Sequence, residues 1–271
     1  MATTAKKRKI PPFMATVDKK TLHKNLEFTA TEQYKLLRTN LEFTLPADGK
    51  CHVIGVTSSM RGEGKSTTAV NLSYVLAEKG KRVLLIDGDL RIPSVAKKME
   101  IPSSPGLTDL LMGRGAQISD FQSSLLKKWY ILPAGDIPPN PSELLGSRRM
   151  EAILTDLKES FDYIIIDLPP VNIVSDALSI SKLITGMIVV IREEYTEKKE
   201  LERCIRQLRL SNVNVLGCVM NESKSYGGSY GKYKKYKYYK YYKDRDADNG
   251  FERSTAEPRR HSGSGPGEAG F

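Results

Sequence analysis

The sequence predicts an α/β protein with a mainly parallel central sheet and helices on both faces. Six short runs rich in β-branched residues, HVIGVT, RVLLID, WYILPA, DYIIID, GMIVVI and VNVLGCVM, are bounded by polar turns and alternate with segments of helical periodicity. The runs are continuously apolar instead of alternating, the pattern of strands covered on both sides. The length, 271 residues with 39% apolar content, allows one domain of about 200 residues with extra ends. Ligands of such sheets gather at the carboxyl ends of the strands, so functional residues are expected directly after the runs.

Ahead of the first run, Thr29-Ala-Thr-Glu32 has the form of a capping box and opens a helix through Asn40 or beyond. Glu32, Lys35 and Arg38 recur at i, i+3 and i+6 and share one face. Taken alone, these residues read as a cap and a solvated face.

The run HVIGVT feeds SSMRGEGKSTTAVNLSYVLAEKG, a glycine-containing turn leading into a long helix. Backbone N–H groups and a helix N-terminus can cradle phosphates there. The element SMRGEGKS fits G-x-x-x-x-G-K-[ST] except that Ser59 stands at the first glycine. The expected nucleotide-binding residues are therefore Ser59, Met60, Arg61, Gly62, Glu63, Gly64, Lys65, Ser66 and Thr67. Gly62 and Gly64 let the backbone approach the ligand, Lys65 neutralises the β- and γ-phosphates of ATP, and the Ser66 hydroxyl binds Mg²⁺. The architecture implied is a three-layer P-loop fold.

The second run ends RVLLIDGDLR and delivers Asp87, Asp89 and Arg91 at i, i+2 and i+4, on one side of an extended backbone. A solvated turn is one reading. Adjacent carboxylates repel unless a cation shares them, so beside a phosphate loop a Mg²⁺ site is the other. The fourth run, FDYIIIDLPP, ends in Asp167, a Walker B arrangement with the same logic. If these strands are neighbours, the three carboxylates and Ser66 converge on one point. That leaves acid enough to hold Mg²⁺ and to accept a proton from an incoming hydroxyl. Asn221 closes the last run, NVLGCVMN, where it serves as a turn residue or as a contact to adenine.

The net charge of +10 sits at the ends of the chain. Residues 1–24 and 226–243 contribute +6 each and residues 244–271 contribute −2, which leaves residues 25–225 neutral and a basic nucleic-acid-binding face on the core unsupported. Cys51, Cys204 and Cys218 are widely spaced, so neither a disulfide framework nor a zinc site is indicated. The longest apolar stretches, such as LITGMIVVI, are half the length of a bilayer span, and the basic N-terminus lacks a following apolar segment. A cytoplasmic protein, held at a membrane by something else, is expected. Residues 1–26 read as a basic arm, 27–222 as the P-loop domain, 223–243 as a Tyr/Lys-rich tail and 244–271 as an extension.

Together the degenerate Walker A SMRGEGKS, the Walker A′ LLIDGDLR, the Walker B IIIDLPP and the terminal run YGGSYGKYKKYKYYKYYK resemble the bacterial tyrosine kinases. The resemblance is to the separate cytoplasmic kinase of Gram-positive capsule and exopolysaccharide systems, over roughly residues 27–243, and PPNPSELL resembles a further family stretch. It implies that Lys65 polarises the ATP phosphates and that Ser66, Asp87, Asp89 and Asp167 divide metal binding and tyrosine activation, with Asp87 as the base. It also implies autophosphorylation in trans on Tyr226, Tyr230, Tyr233, Tyr236, Tyr238, Tyr239, Tyr241 and Tyr242, besides outside protein-tyrosine substrates and a cognate tyrosine phosphatase. Glu32, Lys35 and Arg38 match the family's ring-building motif, with Lys at the first Arg, which implies a ring-type homo-oligomer with an altered contact. A membrane activator of the polysaccharide co-polymerase type, acting through its cytoplasmic tail, is the implied partner and recruits the kinase to the inner face of the membrane.

Two other classes compete. A MinD/ParA-like switch ATPase shares fold and motifs, but its signature lysine, five residues before Lys65, is replaced here by Met60. A nucleic-acid-binding module would use the Lys/Tyr tail through charge and stacking. The kinase reading expects no nucleic acid.

Overall fold

A computed structural model describes residues 26, 28–115 and 117–223. The expected arm, the tyrosine-rich tail with its eight candidate acceptors, and the C-terminal extension lie outside these residues, apart from Leu26 and Ser223.

All six apolar runs are strands, and they pair wholly in parallel: β1 (His52–Ser58), β2 (Val83–Asp87), β3 (Trp129–Leu132), β4 (Tyr163–Asp167), β5 (Gly186–Arg192) and β6 (Val215–Asn221), in the spatial order β3-β2-β4-β1-β5-β6. The longer helices are α1 (Phe28–Thr44), α2 (Lys65–Glu78), α6 (Arg148–Lys158) and α8 (Lys198–Leu210). Between them lie the short helices α3 (Val95–Met99), α4 (Leu107–Leu111), α5 (Pro141–Leu145) and α7 (Asp176–Ser179). Helix α1 begins at Phe28, so Thr29 lies within its first turn and not ahead of it as a cap.

The continuous apolar runs are explained by a core on each face. Along β2, Leu84 and Ile86 point to one side with the residues of α6 and α8, while Val83 and Leu85 point to the other with those of α1 and α2. Tyr163 and Ile165 of β4 divide from Ile164 and Ile166 in the same way. Full burial of each such aliphatic side chain contributes about 1.5–3 kcal/mol, so the central strands anchor whatever their carboxyl ends carry. Trp129, fully buried at the start of β3, donates its indole N–H to Ser73 Oγ (3.1 Å) and meets the Tyr74 ring edge-to-face at 5.4 Å. Both partners belong to α2.

The topology places β1 between β4 and β5, and β2 beside β4. In the ladders Val56 faces Asp167 and Asp87 faces Asp167, so the loops after β1, β2 and β4 open side by side at one end of the sheet.

Candidate active site

The loop after β1 is shaped by glycine. Gly62 and Gly64 have φ of +79° and +94°, left-handed values that other residues adopt with strain. A Cβ on Gly64 would lie 2.0 Å from Asn221 Nδ2, so this glycine is required by space as well. Gly64 is the residue from which α2 springs, and Lys65 opens the helix.

Ser59 and Glu63 explain the departure from the usual loop. Ser59 Oγ donates to both carboxylate oxygens of Glu63 (2.8 and 3.0 Å), the Met60 N–H donates to the same group (2.8 Å), and Thr196 Oγ1 donates to it as well. Glu63 is only 1% exposed. Of the expected nucleotide-binding residues, Glu63 thus directs its side chain into the protein, where it braces the loop from within. Three more contacts tie the loop to the far side of the sheet: Asn221 Nδ2 donates to Glu63 O (3.1 Å), Tyr195 Oη to Arg61 O (3.1 Å) and Arg192 Nη1 to Gly62 O (3.4 Å). The Asn221 amide is therefore engaged with the loop backbone.

Lys65 joins the strand ends. Its Nζ pairs with Asp89 Oδ2 at 2.8 Å and Asp167 Oδ1 at 3.3 Å, and lies 3.4 Å from Ser66 Oγ. Burial alone would lower the Lys65 pKa, but Asp167 and Asp89 outweigh it and hold the ammonium above its ordinary value. Burial pushes the Asp167 carboxyl up, against the pull of Lys65. Asp87 is pushed up to about 7 by burial first and by Asp167 second.

Asp87 does not point at the lysine. Its Oδ2 accepts the N–H groups of Ser94 (3.0 Å) and Val95 (2.9 Å) at the start of α3, and its Oδ1 accepts that of Asp89 (3.3 Å). The expected convergence of three carboxylates is thus realised as Asp89 and Asp167 on Lys65, with Asp87 alongside Asp167 in the ladder. Among the described residues no three His, Cys, Asp or Glu side chains gather as a metal cluster. Mg²⁺ does not need such a cage, because it takes one or two carboxylates and completes its shell with water and phosphate oxygens. Asp167 Oδ2, buried and without a hydrogen-bond partner among the described residues, is an oxygen ligand of the right kind. The residues present fit the ion.

Sequence reasoning missed Asp176. This fully buried carboxylate at the start of α7 takes the Arg91 guanidinium in a fork, Nε to Oδ2 at 2.8 Å and Nη2 to Oδ1 at 3.0 Å, and also accepts from Ser142 Oγ of the PPNPSELL stretch. One acid therefore fastens together the loops after β2, β3 and β4. Its only signal in the sequence is a lone acid inside the apolar stretch VNIVSDALSI. Glu63, Thr196 and Asp176 bind partners 85 to 133 positions away, and no local pattern announces such pairs.

Away from the cleft, Lys35 Nζ pairs with Glu32 Oε1 on the surface of α1 (2.8 Å), while Arg38 Nη1 turns inward to Val75 O of α2 (2.7 Å). The three do not form a row of free charges. Among the described residues, no helix is long and apolar enough to cross a membrane.

Residues 51–216 match a family model described as an AAA domain. The chain is 38% identical over 169 residues to the tyrosine-protein kinase YwqD of Bacillus subtilis, covering 62% of this chain and 71% of that protein. It is 34% identical over 202 residues to the tyrosine-protein kinase CpsD of Streptococcus pneumoniae, covering 73% and 88%. Among solved structures, the chimerical protein CapA2B2 superposes with a TM-score of 0.67 at 32% identity, over 71% of this chain and 84% of that one. The septum site-determining protein MinD of Pyrococcus horikoshii, solved with Mg-ADP, superposes at 0.53 with 26% identity, over 64% and 72%. A P-loop lysine shared between a Walker A′ and a Walker B aspartate, together with likeness of this extent to named kinases, makes the chain a member of the bacterial tyrosine-protein kinase family.

Proposed function

We propose that this protein is an ATP-dependent protein-tyrosine kinase that phosphorylates its own C-terminal tyrosine cluster in trans and so regulates the synthesis and export of a capsular or exopolysaccharide. The observation that carries the chemistry is the Lys65 ammonium held between Asp89 and Asp167 at the start of α2, with an Asp87 carboxyl near 7 in the adjoining strand.

Glycine-shaped backbone from Ser59 to Gly64 cradles the phosphates, and Lys65 exchanges its carboxylate partners for the β- and γ-phosphate oxygens. Ser66 and Asp167, with Asp89 or Asp87, would hold Mg²⁺, which would supply positive charge against the transferred group. Asp87 takes the proton of the attacking tyrosine; a carboxyl near 7 is matched to that task at neutral pH. Asn221 steadies the loop through Glu63 O, and its contact to the base of the nucleotide is part of this proposal.

The acceptors are Tyr226, Tyr230, Tyr233, Tyr236, Tyr238, Tyr239, Tyr241 and Tyr242, whose six neighbouring lysines favour an acidic, nucleotide-loaded site. Each phosphotyrosine adds about −1.5 to −2 at neutral pH, so three or four modifications cancel those lysines and release the segment. Glu32, Lys35 and Arg38 of α1 contribute to a ring of subunits, and a membrane protein of the co-polymerase type activates the kinase at the inner face of the membrane. The likeness to the chimerical protein CapA2B2 supports such a partnership.

The test is incubation of the full chain with Mg·ATP and an activator-tail peptide, followed by mass-spectrometric mapping of phosphate. Phosphotyrosine on residues 226–242 in the wild type, and its absence in a folded Lys65→Met variant, are expected. A wild type that acquires no phosphotyrosine would falsify the reading.

A further inference from the structure

We propose that Tyr195 is a second phosphorylation site of this chain, modified by another copy of the kinase, and that its phosphate loosens the phosphate-binding loop as negative feedback. The proposal rests on the kinase reading above and adds to it an acceptor outside the tyrosine cluster.

Accessibility singles the residue out. Tyr195 is 52% exposed, whereas Tyr74 and Tyr163 are buried and Tyr34 and Tyr130 are half-buried. Among the described residues it is the one exposed tyrosine, and so the one a kinase site can reach without unfolding the sheet. It lies between β5 and α8 in the short turn Glu193–Thr196, closed by the N–H groups of Tyr195 and Thr196 on Arg192 O.

Position gives the modification a consequence. The Tyr195 hydroxyl donates to Arg61 O at 3.1 Å, and lies 3.4 Å from where a Cβ on Gly62 would be. The Arg192 guanidinium stands 5.1 Å over the Tyr195 ring, reaches Gly62 O, and pairs with Glu222 at 2.6 Å. Thr196, the next residue, holds the buried Glu63. This turn is therefore the outer half of a clamp on the loop, and Arg192 just ahead of it also holds Glu222, the residue directly after β6, from which the chain continues toward the tyrosine cluster.

In the transfer, the Tyr195 phenol oxygen bonds to the γ-phosphorus of ATP in a second subunit, and the bond from that phosphorus to the β–γ bridging oxygen breaks. The phenolic proton passes to Asp87 of the donor subunit, and ADP departs. The phosphorylated oxygen has no hydrogen to give to the Arg61 carbonyl, and its dianion competes with Glu222 for Arg192. Both fastenings open, and the added negative charge at the mouth of the loop repels incoming ATP.

The experiment mixes wild-type chain with an isotope-labelled Lys65→Met chain, verified as folded by circular dichroism, in Mg·ATP and activator-tail peptide. Trypsin releases Tyr195 in the peptide spanning residues 193–198, separate from the tyrosine cluster. Phosphate on Tyr195 of the labelled chain is expected. Phosphate confined to the cluster overturns the proposal and leaves the kinase reading standing, whereas phosphate nowhere in the wild type removes the kinase reading itself. For the feedback, the KM for ATP is compared before and after pre-phosphorylation in the wild type and in Tyr195→Phe. A rise of about three-fold or more in the wild type alone is expected from one added repulsive contact; an equal rise in both overturns the feedback role.

Discussion

The cleft and the outer face of α1 both pair lysine with acid, yet the pairs differ in kind. Lys65 is 12% exposed between Asp89 and Asp167, while Lys35 and Glu32 are 40% and 45% exposed on their helix. In the cleft, removal from water raises the price of every charge, shifts proton affinities and makes a lysine ready to exchange carboxylate for phosphate. On α1 the same chemical groups remain hydrated, and their pairing stabilises the helix by a few tenths of a kcal/mol at most. Burial, and not the identity of the partners, separates a reactive ion pair from a decorative one.

Lys65→Met breaks the contrast most severely. Activity should fall about a thousandfold, and stability near neutral pH by about 3 kcal/mol, because the two buried carboxylates paired with Lys65 lose their cation. Kinase assays and urea titrations would measure both, and a variant as stable as the wild type would show that the buried pair contributes nothing.

Asp87→Asn separates the two consequences of burial. Activity should drop about a hundredfold or more with the loss of the base. Stability should move the other way, with a sign set by proton binding. Asp87 is held at about 7 against 3.8 unperturbed, so between those values the folded protein keeps a proton that the unfolded chain has released. Its contribution to stability is therefore lost as pH rises toward 7. The asparagine variant should match the wild type at about pH 4 and melt a few degrees higher at about pH 8. A difference in melting temperature that does not change with pH would refute the assignment.

Thr196→Val is a milder intrusion. It deletes one of three donors to the buried Glu63, which should cost about 1–2 kcal/mol and raise the KM for ATP several-fold while kcat changes less. Steady-state kinetics would decide, and an unchanged KM would mean that the inner brace does not shape the loop. Glu32→Ala should alter the stability of the subunit by no more than about 0.5 kcal/mol. If α1 builds a ring, the same variant should still shift the sedimentation profile of the assembly.

Much of the fold could be read in the sequence because its signals are local. A run such as YIIID must divide its side chains between two cores, and the aspartates that end RVLLID and YIIID arrive at one edge of the sheet once those strands are neighbours. The phosphate loop was legible for the same reason, since its glycines, lysine and serine are adjacent. What stayed hidden depends on distant contacts. Nothing near Glu63 says that it faces inward to Thr196, and nothing near Arg91 names Asp176 as its partner. The start of α1 shows a further limit: Thr29 and Glu32 have the spacing of a cap, yet the helix begins one residue earlier.

Trp129 is the one tryptophan of the chain, and its indole rests against Ser73 and Tyr74 of the helix that Lys65 opens. The protein thus carries a native optical probe packed against the helix at whose start the phosphate-binding lysine sits. Emission from that ring, followed by stopped-flow mixing, offers a label-free clock for nucleotide entry in the unmodified protein.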